Sequence, residues 1–321
     1  MAYRSGEALG RLLESLAPEA PHEVIVVDNG GDAEVPEGVM LLAPGDNLGY
    51  GGGNNLGARH ATGDALVFLN PDTVVTPGAL AGLVDPLEDR SVGIVTARLR
   101  LLDRPETLNS AGNEVHLTGI AWAGAYGEPA DSVAELQDVP FPSGAAMAIR
   151  RDLFEELDGF TEELFLYQED LILGWRVRLC GLRVVVSPAA DVLHDYEFSR
   201  NPGKHYLLER NRLVFVLSSF SPKLLLLLAP VLASVEVGML ALALKEGWAR
   251  DKVRGWAWLV RNAGWLRRHR RETQKLRRVG DRELARFLSP EVAPAMIPVP
   301  APVRAVNPLI ARYWGLVKKA L

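Results

Sequence analysis

Cysteine is almost absent from this 321-residue chain, which contains Cys180 alone. A single cysteine excludes a disulfide within the chain and a zinc site built from several thiolates. The first residues also lack the basic and then apolar pattern of a secretory signal peptide. We therefore expect the folded part of the chain in a reducing compartment, the cytoplasm.

Positive charge is scarce in the first three quarters of the chain. Residues 1–244 contain 17 Lys or Arg against 34 Asp or Glu, whereas residues 245–278 contain 12 against 3. This distribution argues against a nucleic-acid-binding protein, which would carry a broad basic surface. The basic segment follows a very apolar one, so the pattern favours contact with an anionic membrane surface. A solvated helix face is the alternative.

One long apolar run lies in the C-terminal part of the chain. Residues 224–244 contain one charged residue, Glu236, and one proline, Pro230. The run is long enough to span the hydrocarbon core of a bilayer. A central charge costs about 3 kcal/mol on insertion scales, and each leucine offsets about 0.5 kcal/mol, so insertion is allowed but not compelled. We favour a helix or hairpin lying in the membrane interface; a true span and a buried helix stay open.

Short apolar runs alternate with helical patterns through the first two thirds of the chain. The predicted strands are residues 24–27, 39–42, 65–69, 92–99, 143–149, 183–186 and 192–193. The predicted helices are residues 7–16, 54–61, 78–87, 151–157 and 171–179. This alternation favours an α/β fold with a parallel sheet covered by helices, and with ligands at the carboxyl ends of the strands.

The two ends of the chain differ from this pattern. An α/β sheet normally begins with a strand, whereas this chain opens on a helix, so we expect that a first strand is missing. From residue 204 the pattern is helical. We therefore divide the chain into domains of residues 1–203 and 204–321, and expect an irregular, Pro-rich tail from Glu291.

Asn70-Pro71-Asp72-Thr73 directly follows a predicted strand. A carboxylate on a loop restrained by proline can hold Mg²⁺ or Mn²⁺ against a diphosphate, because phosphate oxygens and water complete the coordination shell. The same residues are also a common turn. His194 ends a later strand and could complete such a metal site, although a lone histidine is more often structural.

The segment Asn47–Gly57 contains five glycines ahead of a predicted helix. Glycines permit close backbone approach to a ligand, and a helix N-terminus suits an anionic group. No strand runs directly into a G-x-G-x-x-G pattern, which argues against a dehydrogenase. A glycine-rich turn without a ligand is the alternative.

Glu169 and Asp170 begin a predicted helix. Adjacent carboxylates on a helix face different directions, so one can deprotonate an acceptor hydroxyl while the other organises the site. Ordinary helix capping is the alternative.

These motifs follow a fixed order along the chain. They are Asp28-Asn29-Gly30, Asn47–Gly57, Asn70-Pro71-Asp72-Thr73, Gly144, Gly159-Phe160, Glu169-Asp170 and His194. Over roughly residues 2–215 the chain resembles glycosyltransferase family 2, and within it a bacterial branch of rhamnosyltransferase type. The resemblance implies a GT-A fold and metal-assisted, inverting transfer from a nucleoside-diphosphate sugar, with rhamnose on deoxythymidine diphosphate as the expected donor. The acceptor would be a cell-envelope glycan or a polyprenyl-linked glycan at the cytoplasmic face of the membrane.

The resemblance also implies a role for each matching residue. Asp170 would be the general base with Glu169 beside it, and Asp72 and His194 would hold Mg²⁺ or Mn²⁺. The donor nucleotide would meet Asp28, Asn29, Asn47, Gly49, Asn55 and Asn70. The acceptor or a diphosphate would meet Gly144, Trp175, Arg210 and Arg212.

Two other functions are considered. A nucleotidyltransferase would share the sheet and the metal-bound diphosphate, but the basic, glycine-rich loop expected near its N-terminus is not visible. A catalytically impaired family member acting as a membrane-side scaffold is the other, and the missing first strand is its main support.

Overall fold

A computed structural model describes residues 1–195, 203–296, 299 and 301–321 of the chain. These residues form two compact units. The first, called the sheet unit below, contains residues 1–113, 123–177 and 182–195. The second, called the helical unit, contains residues 114–122, 178–181 and the described residues from 203 onward.

Helices and strands alternate through the sheet unit, and helices dominate the helical unit. The helices are α1 (Gly6–Leu16), α2 (Gly49–His60), α3 (Ala79–Val84), α4 (Arg151–Glu156), α5 (Glu169–Leu179), α6 (Lys204–Ser219), α7 (Pro222–Glu246), α8 (Ala249–Arg261), α9 (Ala263–Lys275), α10 (Asp281–Leu284) and α11 (Ala301–Ala320). The strands are β1 (Ile25–Val27), β2 (Met40–Leu42), β3 (Ala65–Leu69), β4 (Thr73–Val75), β5 (Val92–Leu101), β6 (Leu108–Ser110), β7 (Asn113–His116), β8 (Ala121–Ala123), β9 (Gln137–Asp138), β10 (Ala146–Arg150), β11 (Arg183–His194) and β12 (Leu288–Ser289).

The main sheet of the sheet unit is mixed, so the prediction of a parallel sheet was wrong. Its strand order is β3-β10-β5-β11-β4, with β6 beside β5 and β9 beside β11. Strand β10 is antiparallel to both neighbours, and β5 is parallel to β11. After β5 the chain makes a long excursion through β6–β9 and re-enters the sheet in the opposite direction. The alternation of apolar runs predicted β1, β2, β3, β5, β10 and parts of β11, but not β4, β6–β9 or β12, and it carried no information on this return.

Strand β11 also differs from the prediction of two short strands. It continues past Pro188, and its register with β5 shifts between Ser187 and Asp191. A bulge of this kind lets proline sit within a strand, because a residue there need not donate a ladder hydrogen bond. The strand therefore reaches His194 without a break.

The core of the sheet unit lies around β5. Most side chains of this strand are fully buried, and they pack with residues of α1, α3, β10 and β11. Helix α3 approaches β11 closely at Gly82, where an added Cβ would lie 2.4 Å from the carbonyl carbon of Ala189. The absence of a side chain at Gly82 thus sets the distance between helix and sheet.

Helix α2 begins five residues earlier than predicted, at Gly49 rather than Asn54. Glycine costs roughly 1 kcal/mol relative to alanine inside a helix. Residues 49–55 are nevertheless all buried, and the segment Phe160–Thr161 packs against Gly51. Close tertiary packing on a surface without side chains therefore overrides the low helix propensity of the glycines.

Strands β1 and β2 form a separate, parallel two-stranded sheet. An apolar cavity of about 560 Å³ is lined by both β1 and β3, together with leucines of α1. One edge of β1 pairs with β2, and within the described residues the other edge has only an isolated bridge nearby, between Ala2 and Asp28. Strand β3 pairs with β10 on one edge and with no described strand on the other.

The helical unit consists of α6–α11 and a small sheet of order β12-β7-β8. Helix α7 runs for 25 residues through Pro230. It is the one helix of the described chain that is long and apolar enough to cross a membrane, judged by length and composition alone. The prediction of an irregular tail was wrong for residues 301–320, which form α11 despite Pro308.

Candidate active site

Two of the predicted motifs meet where β3 ends. The backbone N–H of Asn70 donates to the carbonyl of Ala145 at 2.8 Å, and the N–H of Thr73 donates to the carbonyl of Asn70 at 3.2 Å. Thr73 then pairs with His194 in the antiparallel register of β4 and β11. A turn that the sequence encodes with Asn-Pro-Asp thus joins β3, β4 and β11 at one edge of the sheet.

The Asp170 carboxylate is held by the backbone on both sides. Its Oδ2 atom accepts from the N–H of Gly144 at 3.0 Å, and its Oδ1 atom accepts from the N–H of Leu171 at 2.8 Å. The hydroxyl of Tyr50 donates to the carbonyl of Gly144. The glycine-rich motif, Gly144 and the carboxylate pair are therefore joined in one network.

Burial shapes the ionisation of this carboxylate pair. Loss of water raises the pKa of Glu169, and the neighbouring Asp170 carboxylate raises it further. Burial also raises the pKa of Asp170, but the N–H groups of Gly144 and Leu171 oppose that rise. Glu169 has a buried Oε2 atom that accepts no hydrogen bond. Asp170 is consequently the more acidic member, and the pair favours one ionised and one protonated carboxyl group.

The backbone is strained just before this pair. Phe165, Tyr167 and Gln168 have φ values of +66°, +72° and +67°, in the left-handed region that non-glycine residues rarely adopt. The N–H of Tyr50 donates to the carbonyl of Phe165 at 2.7 Å. An added Cβ at Gly49 would lie 2.2 Å from that carbonyl oxygen, so this contact requires glycine. Strain of this kind concentrates at functional sites, where surrounding contacts maintain it.

Asp72 and His194 lie together, as the metal hypothesis requires. The Nε2 atom of His194 is 3.4 Å from Asp72 Oδ1, a buried oxygen that accepts no hydrogen bond from the described part of the chain. Nδ1 of His194 lies 2.9 Å from Asn109 Oδ1. When Nδ1 carries the proton and donates to Asn109, Nε2 is the unprotonated nitrogen, and it lies beside Asp72 Oδ1.

This donor set fits a divalent cation that is also bound by a diphosphate. One carboxylate oxygen and one imidazole nitrogen suit Mn²⁺ or a similar ion, with phosphate oxygens and water as the other ligands. The described residues contain no cluster of three or more His, Cys, Asp or Glu that would hold a metal unaided. The assignment of a metal to Asp72 and His194 stays a prediction.

Three of the residues assigned to the nucleotide, Asp28, Asn29 and Asn47, bind the backbone of the loops around them. The Asp28 carboxylate accepts from the N–H groups of Gly30, Gly31 and Ala33 at 2.8–2.9 Å. Asn29 donates to the carbonyl of Gly49 at 2.9 Å, and its buried Oδ1 atom accepts no hydrogen bond. Asn47 is exposed and accepts from the N–H of Gly49. Asn29 therefore offers an unused acceptor, whereas Asp28 and Asn47 fix backbone turns.

Asn55 contributes to the site by holding a loop. Its Nδ2 atom donates to the carbonyl of Phe160 and to the Glu162 carboxylate, each at 2.9 Å, and its Oδ1 atom accepts from the N–H of Phe160. Both ends of the amide are thus used within the protein. The structure contradicts the assignment of this side chain to the nucleotide and makes it a positioning residue instead.

Comparison with known proteins agrees with this arrangement of motifs. The profile of the family described as "Glycosyltransferase like family 2" matches residues 1–213. That match covers the whole of the sheet unit and all of the motifs up to Arg212.

The chain belongs to glycosyltransferase family 2.

Curated relatives share this family. The glycosyltransferase is 31% identical over 244 residues to the N-acetylglucosaminyl-diphospho-decaprenol L-rhamnosyltransferase of Mycobacterium tuberculosis, covering 64% of this chain and 78% of the relative. It is 24% identical over 204 residues to the rhamnosyltransferase WbbL of Escherichia coli K12, covering 57% and 77%. These matches make the chain a glycosyltransferase of polysaccharide biosynthesis.

A solved structure shows the same fold. The crystal structure of GalNAc-T7 with UDP, GalNAc and Mn²⁺ superposes with a TM-score of 0.51 at 17% identity, over 66% of this chain and 47% of that one. At this identity the likeness concerns the GT-A fold alone. The fold expected from the resemblance is confirmed, with a mixed sheet in place of a parallel one.

Three residues assigned to the acceptor or diphosphate lie inside the glycosyltransferase. Trp175 on α5 is completely buried, so its ring is unavailable to a ligand and that assignment was wrong. Arg212 is also buried and binds the carboxylates of Glu209 and Glu236, which contradicts its assignment too. Arg210 is largely buried, with its guanidinium over the rings of Tyr206 and Trp258.

Sequence reasoning gave no role to two residues that organise the site. Tyr50 lies within the glycine-rich motif, in which the predicted roles belonged to the glycines and asparagines. Asn109 lies in a stretch without periodicity, and nothing in the sequence relates it to His194, 85 residues away.

Proposed function

We propose that this glycosyltransferase transfers a sugar, rhamnose, from a nucleoside diphosphate to a hydroxyl group of a polyprenyl-diphosphate-linked acceptor, with inversion at the anomeric carbon. The mycobacterial and Escherichia coli relatives carry rhamnosyltransferase names, and the former also names a decaprenol-linked acceptor. A lipid-linked acceptor would place the enzyme at a membrane surface, and we assign it to the cytoplasmic face of the cell membrane.

The observation that carries the reaction is the buried pair Glu169 and Asp170. Ionised Asp170 removes the proton of the acceptor hydroxyl, and the oxygen of that hydroxyl then bonds to the anomeric carbon. The bond from that carbon to the diphosphate oxygen breaks, and its electron pair leaves with the nucleoside diphosphate. Protonated Glu169 keeps a second negative charge away from the attacking oxygen, while the Gly144 N–H holds Asp170 in position.

Asp72 and His194 would hold a divalent cation against the donor diphosphate. The bound cation supplies charge neutralisation on the departing diphosphate. Asn109 would keep the His194 ring in the orientation and tautomer that this contact needs, as hydrogen-bonded partners of ligating histidines generally do.

We assign the nucleobase of the sugar nucleotide as the hydrogen-bonding partner of Asn29. Its buried Oδ1 atom lacks a hydrogen-bond donor within the described chain, and a nucleobase imide N–H is a suitable donor. The loop of residues 28–33, which the Asp28 carboxylate closes, would lie along the base and ribose.

Thermal unfolding of the full chain with a panel of nucleoside diphosphates, with and without Mn²⁺, tests the donor site. A ligand at about 100 times its Kd should stabilise the protein by about 2.7 kcal/mol. Asp72→Ala should remove the metal-dependent part, and the exposed change Asp46→Ala should not. Stabilisation by every nucleotide without metal would contradict the role of Asp72.

Transfer of radiolabelled rhamnose from its deoxythymidine diphosphate donor to an extracted polyprenyl-diphosphate glycan tests the substrates. Labelled lipid is the expected product. Donor hydrolysis with no labelled lipid would contradict the acceptor, and labelling from another sugar nucleotide alone would contradict rhamnose.

A further inference from the structure

Helix α7 exposes a continuous apolar stripe. Leu226, Val237 and Leu244 are 76%, 71% and 67% exposed. Their spacings of 11 and 7 residues return to nearly the same side of an α-helix. Ala229, Ala233 and Ala241 are also exposed and lie between them on that side. These six residues, the α7 stripe, carry no polar atom beyond the backbone, and exposed apolar surfaces of this size usually mark an interaction site.

The one charge in the apolar part of α7 is engaged elsewhere in the helical unit. The Glu236 carboxylate pairs with Arg212 of α6 and with Lys252 of α8, and it accepts from the indole N–H of Trp256 at 2.9 Å. The side chains of Arg212 and Lys252 are 2% and 0% exposed. Glu236 thus fastens α7 to α6 and α8.

Glu236 stays ionised in this cluster. Burial favours a higher pKa, but the charge of Arg212 and its hydrogen bond, together with Lys252, outweigh burial and lower the pKa of Glu236. A span across a bilayer would separate this carboxylate from its partners or carry the whole ion cluster into hydrocarbon. Either outcome leaves buried charges without water or without partners, which is strongly unfavourable.

Helix α11 adds a second apolar surface and a set of cations. Tyr313 of α11 donates from its hydroxyl to the carbonyl of Leu227 on α7 at 2.6 Å. Trp314 and Val317 are buried, whereas Leu309 and Leu316, seven residues apart, are 67% and 60% exposed. The helix contains Arg304, Arg312, Lys318 and Lys319 and no acidic residue.

We propose that the α7 stripe and the exposed side chains of α11 form a docking face that lies in the plane of an anionic lipid bilayer, with α7 entering the interface but not crossing it. Apolar side chains flanked by lysine and arginine match the boundary between acyl chains and anionic headgroups. The inference rests on the membrane location in the proposed function. Binding to vesicles needs neither donor nor acceptor, so it succeeds or fails separately from catalysis.

Co-sedimentation of the full chain with phosphatidylcholine vesicles, with and without phosphatidylglycerol, tests the docking face. Binding should be stronger with phosphatidylglycerol, and Val237→Glu and Leu309→Glu should each weaken it about tenfold, equivalent to about 1.4 kcal/mol. Leu136→Glu, a matched change at an exposed leucine of the sheet unit, should bind like the wild type. Wild-type binding by both stripe variants, or equal binding to both vesicle types, would overturn the proposal.

Cysteine labelling distinguishes a docked α7 from a span. Cys180 is the sole cysteine and is buried, so Lys223→Cys and Lys245→Cys place single reactive thiols at the exposed ends of α7. With protein added outside sealed vesicles, a membrane-impermeant maleimide should label both ends before detergent is added. Labelling of one end only after detergent would show a span and overturn the in-plane arrangement.

Discussion

The sheet unit and the helical unit each contain a pair of carboxylates of which one is buried and the other partly buried, and the surroundings of the two pairs differ. Within the described residues no Lys or Arg forms an ion pair with Glu169 or Asp170, and burial raises the pKa of both. In the helical unit, Glu209 and Glu236 share Arg212 and Lys252, and the pKa of both carboxyl groups is lowered.

The difference separates a reactive site from a structural one. A buried carboxylate with a raised pKa is a better proton acceptor, and the fold must supply the free energy that keeps it there. A carboxylate matched with a cation is inert towards protons at neutral pH and links the helices around it. Burial of an acidic residue therefore does not show whether the residue is reactive or structural until its partners are known.

The largest effect is expected from removing the proposed base. The Asp170→Asn side chain retains one oxygen that can accept a backbone hydrogen bond, but it cannot act as a base. The value of kcat/KM should fall about 10²–10⁴-fold, with little change in thermal unfolding. Asp103→Asn, at an exposed position, is the matched control. A loss smaller than tenfold would mean that another group accepts the proton.

Breaking the ion cluster should affect stability instead. Lys252→Met removes a cation that lies 2.5 Å from Glu209 and 3.1 Å from Glu236. The free energy of unfolding should fall by about 3–5 kcal/mol, because two buried carboxylates lose a partner. Denaturant unfolding measures the change, with the exposed Lys223→Met as control. An unchanged midpoint would show that the cluster contributes nothing to stability.

The pH dependence of stability should have opposite signs in the two units. The pKa of Glu169 is raised in the folded state. The protonated side chain therefore contributes its full stability below the ordinary pKa of glutamate, and this contribution is lost as the pH rises through the pKa of the folded state. Glu169→Gln should therefore gain about 1–2 kcal/mol relative to the wild type in mildly alkaline buffer. Unfolding free energies measured across the pH range test this, with exposed Glu14→Gln as control; parallel curves would refute it.

The contribution of Glu236 to stability should have the opposite pH dependence. Its pKa is lowered in the folded state, so the stability from its charge is present above the ordinary pKa of glutamate and is lost as the pH falls through the lowered value. Glu236→Gln should cost about 1 kcal/mol at neutral pH and less in acid. The same unfolding series measures it, and a loss that grows as the pH falls would contradict the ion pairing.

The smallest effect is expected at Tyr50. Tyr50→Phe removes one hydrogen bond to the carbonyl of Gly144, which should cost about 0.5–1.5 kcal/mol of stability and reduce turnover a few-fold. Tyr3→Phe, at an exposed ring, should change neither quantity. A Tyr50→Phe enzyme with full activity would show that Gly144 is positioned by other contacts.

Local patterns in the sequence predicted much of the sheet unit. Strands such as Ala65–Leu69 were found, and the helix predicted over residues 171–179 was found within two residues of its start, because apolar periodicity and turn residues are local signals. The order of motifs then identified the family. The direction of β10 and the contact between His194 and Asn109 depend on long-range topology, which local patterns do not encode.

The helical unit was less predictable, for a related reason. The charge of Glu236 was visible as an interruption of an apolar run, but its partners Arg212 and Lys252 lie on two other helices. Arg212 was therefore assigned to a ligand rather than to an ion cluster. Helix α11 was missed because Pro308 argued against it, whereas the packing of Trp314 and Val317 favours the helix.

The open edges of β1 and β3 have a consequence for handling the protein. Each edge presents backbone N–H and C=O groups beside an apolar cavity of about 560 Å³. Unpaired edges are templates on which a strand of another molecule can add. Self-association and precipitation should therefore rise steeply with protein concentration, and an extended apolar peptide added to the solution should compete with them.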